Sequence, residues 1–128
     1  MTMAEFRHLW VETGRAAADL TNQQYHLVRL AAADRTVNVA SLDTDSGLWG
    51  VLLNKPRAGE AASVLLLGLG KVTAGAALTA NALITTNGSG RAVAATSGDY
   101  VIGRALEAAA AAGDVITAEI VRPWRLTL

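Results

Sequence analysis

His8 and His26 are the only imidazoles in the chain, and neither has a partner at a recognised metal-ligand spacing. His8, in Phe6-Arg7-His8-Leu9, reads as a surface or interface residue. His26 lies between Tyr25 and Leu27 and reads as structural, alternating outward if its neighbours pack inward. Ser41, Ser46, Ser63, Ser89 and Ser97 supply hydroxyls, but none stands in a Gly-x-Ser-x-Gly elbow. Asn87-Gly88-Ser89-Gly90-Arg91 has the glycines to expose amide donors to an anion. A β-like run follows it, however, so it reads as a hairpin connection. Gly68-Leu69-Gly70-Lys71 also lacks the full phosphate-loop pattern. Asp43 and Asp45 would share a face on a strand, in a setting faintly like a calcium loop. Asn54 and Lys55 stand where that loop needs its glutamate, so a solvated turn is the better reading. With no cysteine, a disulfide framework, a thiolate nucleophile and a thiolate metal site are excluded. The sequence thus predicts no catalytic residue, no metal ligand and no cofactor site.

What remains is contact chemistry. Aromatic residues and arginine anchor protein interfaces, because each buries a large area with few rotamers to fix. Trp10 lies between charged residues in a weakly patterned segment with Phe6 and Leu9, and is the best candidate for docking onto another chain. Trp124, in Arg122-Pro123-Trp124-Arg125, is a ring flanked by two guanidiniums that either covers an open end of the body or meets a second subunit. Trp49, beside Gly50, reads as core.

The elements that must carry these residues are short. Residues 2–22 are compatible with a short helix or an extended arm. From residue 23 onward, strand-length runs alternate with glycine, proline, asparagine and aspartate turns. Gln24–Ala31, Val37–Ala40, Leu48–Leu53, Glu60–Leu67 and Gly70–Thr73 are candidate strands. So are Ala82–Thr86, Arg91–Ala94, Tyr100–Leu106, Val115–Val121 and Arg125–Leu128, with Gly68 and Pro123 as breaks. Glu107–Ala112 has helical propensity, but Gly113 stops it after six residues, too few for a stable helix. The pattern predicts an all-β fold, a small barrel or sandwich of short antiparallel strands with glycine-rich turns. An N-terminal arm (1–22) would precede a β-rich domain (23–128).

Within that domain Gly50-Val51-Leu52-Leu53, a loop and Gly59-Glu60 before Ala61–Val64 parallel Gly103-Arg104-Ala105-Leu106, a loop and Gly113-Asp114 before Val115–Ala118. This half-repeat (50–67 and 103–121) reads as two hairpins whose second strands start where glycine permits positive φ.

Composition narrows the partner. The 128 residues carry 11 basic and 11 acidic side chains, which gives no long-range attraction to nucleic acid. The longest aliphatic run, Val64–Leu69, is far short of a bilayer span, and Met1–Arg15 has no continuous apolar core, so neither membrane nor secretory targeting is expected. Charged residues are only 17%, low for an average domain, which points to an exterior partly covered by another chain, with a monomer as the other reading. Clustered alanines bury little area each and predict a marginal core.

From Trp49 to Val121 the chain resembles the small tailed-bacteriophage head decoration, or capsid cement, proteins. The likeness rests on Gly50-Val51-Leu52-Leu53-Asn54, Gly59–Val64, Gly70–Thr79, Gly90–Asp99, Tyr100–Ala109 and Gly113-Asp114, in that order. It implies a non-enzymatic protein on the outer surface of the phage head, soluble in the host cytoplasm before assembly. The implied partners are the major capsid protein, met at capsomer junctions, and other copies of the chain, as a trimer more than a dimer. No nucleic acid, membrane or small-molecule substrate is implied. Thr2–Leu20 would resemble the arms that family members use for contact. Arg7, Arg15, Arg122 and Arg125 would pair with capsid acids, and the small-residue loops at Gly59 and Gly113 would let chains approach closely. The chain departs from the family pattern at aliphatic Leu52-Leu53-Asn54 and in a first third rich in Arg and Trp. An oligomeric β-rich module for carbohydrate or another surface ligand is the alternative.

Overall fold

A computed structural model describes residues 7–127 as nine strands with no helix. They are β1 (Arg7–Ala16), β2 (Leu27–Leu30), β3 (Thr36–Val39), β4 (Leu48–Leu52), β5 (Ala61–Thr73), β6 (Leu83–Thr86), β7 (Ala92–Ala94), β8 (Tyr100–Ala105) and β9 (Val115–Arg125). The all-β class read from the sequence is the class observed. The alanine-rich stretch after β8 forms no helix, and Ala109 bridges Leu78 instead.

β5 organises the molecule. Along Ala61–Leu69 one edge pairs antiparallel with β1. Its other edge pairs first with β4, at Val64 and Leu65, and then with β9 from Gly68 to Thr73. The strands β1-β3-β2-β4-β5 close on themselves into a five-stranded barrel. The sheet continues from β5 through β9, β8, β6 and β7, and curls until Ala92 makes a parallel bridge to Ala74, just past the end of β5.

This arrangement gives two apolar cores with a shared wall. Val28, Val37, Leu52 and Val64 fill the barrel lumen with Ala16, Leu20 and Ala62. Their chain neighbours Leu27, Val51 and Leu65 point the opposite way and pack with Val72, Ile84, Ile102, Ile116 and Ile120. Successive side chains of a strand face opposite sides, so β2, β4 and the first half of β5 are apolar on both faces. That is why they read in the sequence as continuous aliphatic runs. Each fully buried Leu, Ile or Val contributes roughly 1.5–3 kcal/mol relative to exposure.

Two expected breaks lie inside strands. β5 runs through Gly68, whose φ of 129° is open to glycine and bends the strand where the β1 register shifts between His8 and Trp10. β9 runs through Pro123 because its pairing with β8 slips there: Ile120 pairs with Gly103 and Trp124 with Val101. The intervening residues bulge, and a proline without an N–H is tolerated where no ladder bond is required. Tyr25 takes φ 66°, so the alternation expected across 25–27 fails. His26 is buried, with Nδ1 3.2 Å from the Gln24 carbonyl oxygen. Residues 7–16 of the segment read as an arm form β1 of the barrel wall.

The half-repeat corresponds to two antiparallel hairpins, β4–β5 and β8–β9, built with the same device. In each, the first glycine lies against the partner strand: a Cβ on Gly50 would collide with the Leu65 carbonyl oxygen, and one on Gly103 with that of Glu119. In each, the second glycine has positive φ, 82° at Gly59 and 94° at Gly113.

Candidate functional site

At the lower end of the barrel, where β1 finishes, Ala16 and Leu20 belong to the lumen core, and the Leu20 amide donates to the Pro56 carbonyl and the Ala16 amide to that of Glu60. At the upper end β1 and β5 run on past the β2–β3 hairpin, leaving a cup of about 640 Å³. Trp49 and Leu66, packed on the lumen core, form its floor. Trp10, Leu30 and Leu67 wall it, and Glu12, Arg35 and Arg122 stand among the lining residues. Barrel mouths of this volume hold ligands or partner side chains.

The exposed tryptophan is held in place. Its indole Nε1 donates to Glu12 Oε1 at 2.8 Å, and Glu12 Oε2 lies 3.9 Å from Arg35. Arg35 occupies this position from a left-handed backbone (φ 53°), which also lets its carbonyl accept the Arg15 amide at 2.8 Å. That conformation costs a non-glycine residue about 1–2 kcal/mol. Trp10 is 54% exposed and Leu9 74%. An oriented aromatic that stays in water loses little entropy when a partner covers it.

The sequence-predicted contact residues divide among surfaces. Trp10 and Arg122 meet in the cup, where Leu9 is a neighbour on β1. Arg15 lines a separate concavity with Gly59 and Arg35. Trp124 lines a small hollow on the β8–β9 face with Leu83, Val101 and Gly103, and Arg125 pairs opposite Tyr100. Arg7 pairs in register with Leu69, and Phe6 lies outside the described residues. Trp49, read as core, is half-buried: it packs on the lumen core and also lines the cup. Arg35 and Leu66 had no contact signal in the sequence, because the cup gathers them from five strands.

The other chemical candidates are satisfied internally. Asn87 Oδ1 accepts from the amides of Ser89 (2.9 Å) and Arg91 (3.0 Å), so the glycine loop turns its donors onto its own asparagine. Asp45 pairs with Arg29 and accepts the Gly47 amide at 2.7 Å, and both contacts hold its carboxyl below the ordinary carboxylate range. Asp43 finds a different acid from the one its spacing named. Desolvation first, then the charge of Asp99 and a hydrogen bond to it, push the Asp43 carboxyl up. Asp99 Oδ2 in turn accepts from the Thr96 amide (2.8 Å) and hydroxyl (3.1 Å). Among the described residues no three His, Asp or Glu side chains converge as a metal site would require.

The cup thus brings exposed apolar side chains and two guanidiniums together, and comparison with known proteins gives it a context. Residues 11–120 match the phage cement protein family. The chain belongs to that family. Members are structural proteins and not an enzyme family, so this chain is a phage structural protein associated with the capsid. Among solved structures the chain is similar to the N base of the head fiber gp8.5 in bacteriophage phi29 (TM-score 0.69, 24% identity, 93% of this chain and 98% of that chain covered), a likeness of fold. No curated protein matches the sequence. The cement-family match begins at Val11, in the middle of β1, so the matched region includes half of the strand that carries the cup's outer wall.

Proposed function

We propose that this cement protein binds the outer surface of the phage head at capsomer junctions through the mouth of its barrel and braces the shell there. The observation that carries this reading is the grouping of three exposed apolar side chains, Trp10, Leu30 and Leu67, around one arginine-bearing cup. Isolated exposed apolar residues need no explanation, but a contiguous patch of this kind marks an interaction site. Arg122 and Arg35 set the register against capsid carboxylates, and Trp10 supplies the buried anchor.

The protein acts as an oligomer, a trimer in preference to a dimer. Support comes from a second surface: the loops at Gly113 and Leu78, joined by the Leu78–Ala109 bridge, expose Ala76, Ala77, Ala108 and Ala110–Ala112. Small side chains let two chains approach closely. Several linked weak contacts then act as one strong one, as a repeating shell requires.

The test is addition of the purified protein to heads that lack it. Electron microscopy should show new density over capsomer junctions, and such heads should retain DNA at temperatures where bare heads release it. Trp10→Ala should weaken binding by about thirtyfold, the effect of losing a ~2 kcal/mol anchor, with unchanged melting. Density confined to capsomer centres, or full binding by the Trp10 variant, refutes the placement. Light scattering that shows only monomer at micromolar concentration refutes the trimer.

A further inference from the structure

We infer that β1 offers its free edge to the capsid, and that an extended segment of the shell protein adds to it as a further strand. The inference rests on the capsid-docking reading above and specifies how docking occurs. β1 pairs with β5 along its length, but with β3 only at Arg15 and Ala16. The Arg15 amide donates toward β3, to the Arg35 carbonyl. Register with β5 is unbroken from Val11 to Arg15. The two-residue alternation of an antiparallel ladder therefore turns the N–H and C=O of Thr13 and Val11 the same way, off β5. Among the described residues, beyond the hairpin tip at Arg35 no strand stands beside them, and neither amide donates to another backbone carbonyl outside its own strand pairing.

Such an edge is a template for another chain unless something blocks it. At the far end of the sheet, β7 is three residues long and its end is bridged by Ala74. β1 has no such protection. From Leu9 to Gly14 it carries neither proline nor lysine, and Leu9, Trp10 and Val11 are exposed.

The cup states the chemistry of the added strand. An incoming chain along β1 directs every second side chain toward the cup. There it meets the apolar faces of Trp10 and Trp49 and two guanidiniums, against one carboxylate already bonded to Trp10. The segment that fits carries an apolar side chain and a carboxylate two residues apart. A second copy of β1 fits poorly: antiparallel pairing centred on Glu12 sets two carboxylates face to face, and like charges directly opposed are destabilising.

Val11→Pro and Thr13→Pro remove an outward N–H while sparing the ladder to β5, the edge position a strand tolerates for proline. With heads lacking the protein, each variant should bind at least tenfold more weakly than wild type and keep its oligomeric state. Backbone hydrogen exchange on the unaltered protein gives a readout that no folding defect can confuse: the Val11 and Thr13 amides should exchange at least tenfold more slowly on heads than free. Wild-type binding with unprotected amides, or proline variants that bind normally, overturns the added strand and leaves the docking reading intact. Failure of the unaltered protein to bind heads overturns both. Protection of the same amides in the free oligomer assigns the edge to a second copy and overturns the proposal.

Discussion

Replacing Gly103 with alanine tests the hairpin geometry directly. The new Cβ would collide with the Glu119 carbonyl oxygen, 3.0 Å from Glu119 C and 3.2 Å from Ile120 Cα. All three are backbone atoms, so no side chain can rotate away. β8 and β9 must separate where Gly103 pairs with Ile120 and Arg104 with Glu119, weakening about two ladder bonds at ~1 kcal/mol each. Loosened packing of buried Ile102 and Ile120 adds about 1 kcal/mol more, within the usual range for overpacking. The total of about 3 kcal/mol corresponds to a fall in Tm of about 10–15 °C for a domain this size. Calorimetry would read it. Two controls separate crowding from backbone strain. Gly113 has positive φ but nothing within 4 Å of an added Cβ, so Gly113→Ala should cost only the left-handed conformation, about 1–2 kcal/mol. Gly88 has neither feature, and Gly88→Ala should stay within ~0.5 kcal/mol of wild type. If Gly103→Ala melts no lower than Gly113→Ala, the close approach of the two strands does not limit stability and the reasoning fails.

Asp45 and Asp43 should respond to pH in opposite directions. Asp45 is depressed by Arg29 and the Gly47 amide, so its contribution is present above the ordinary carboxylate pKa and is lost as pH falls through its folded value. Asp45→Asn should lower Tm at neutral pH and matter progressively less in acid. Asp43 is raised by desolvation and Asp99, so ionising it weakens the fold as pH rises from the ordinary value through the raised one. Asp43→Asn should raise Tm at pH 7, with the difference closing on acidification; no difference at pH 7 would show that neither burial nor Asp99 raises the Asp43 carboxyl. Thr85 Oγ1 is buried with no hydrogen-bond partner among the described residues, and Thr85→Val should stabilise by about 1 kcal/mol in a urea titration. Leu65 is fully buried on the wall between the two cores, and Leu65→Ala should cost about 3 kcal/mol, with both halves still unfolding in one transition.

Most of the fold was legible because it depends on local chemistry. Turn glycines such as Gly59 and Gly113, and the doubly apolar runs at Leu48–Leu53 and Val64–Leu67, carry their meaning in adjacent residues. The closure of the barrel was not legible. β1 has one bulged partner along most of its length, so its sequence shows no clean alternation, and charged residues fall among its apolar ones. Pro123 and Gly68 read as stops because their effect depends on the pairing register across the sheet, which no local window contains. The cup had half a signal: Trp10 and Arg122 stood out as contact residues. Only the pairing of β1 and β9 with the same strand puts them beside Trp49, Leu66 and Arg35. The carboxylate pair shows the same limit, since Asp43 meets Asp99 through two loops that the sequence read separately.

Closing the barrel through β1 and β5 also sets an order of events during synthesis. β1 emerges from the ribosome ahead of β5, and Val11 must wait for Leu65. At roughly 5–20 residues per second the interval is about 3–10 s. Through that interval the Leu9–Val11 stretch has neither of its edges covered. A nascent chain is therefore most prone to misassociation at this strand, and slowing translation between β1 and β5 should lower the soluble yield.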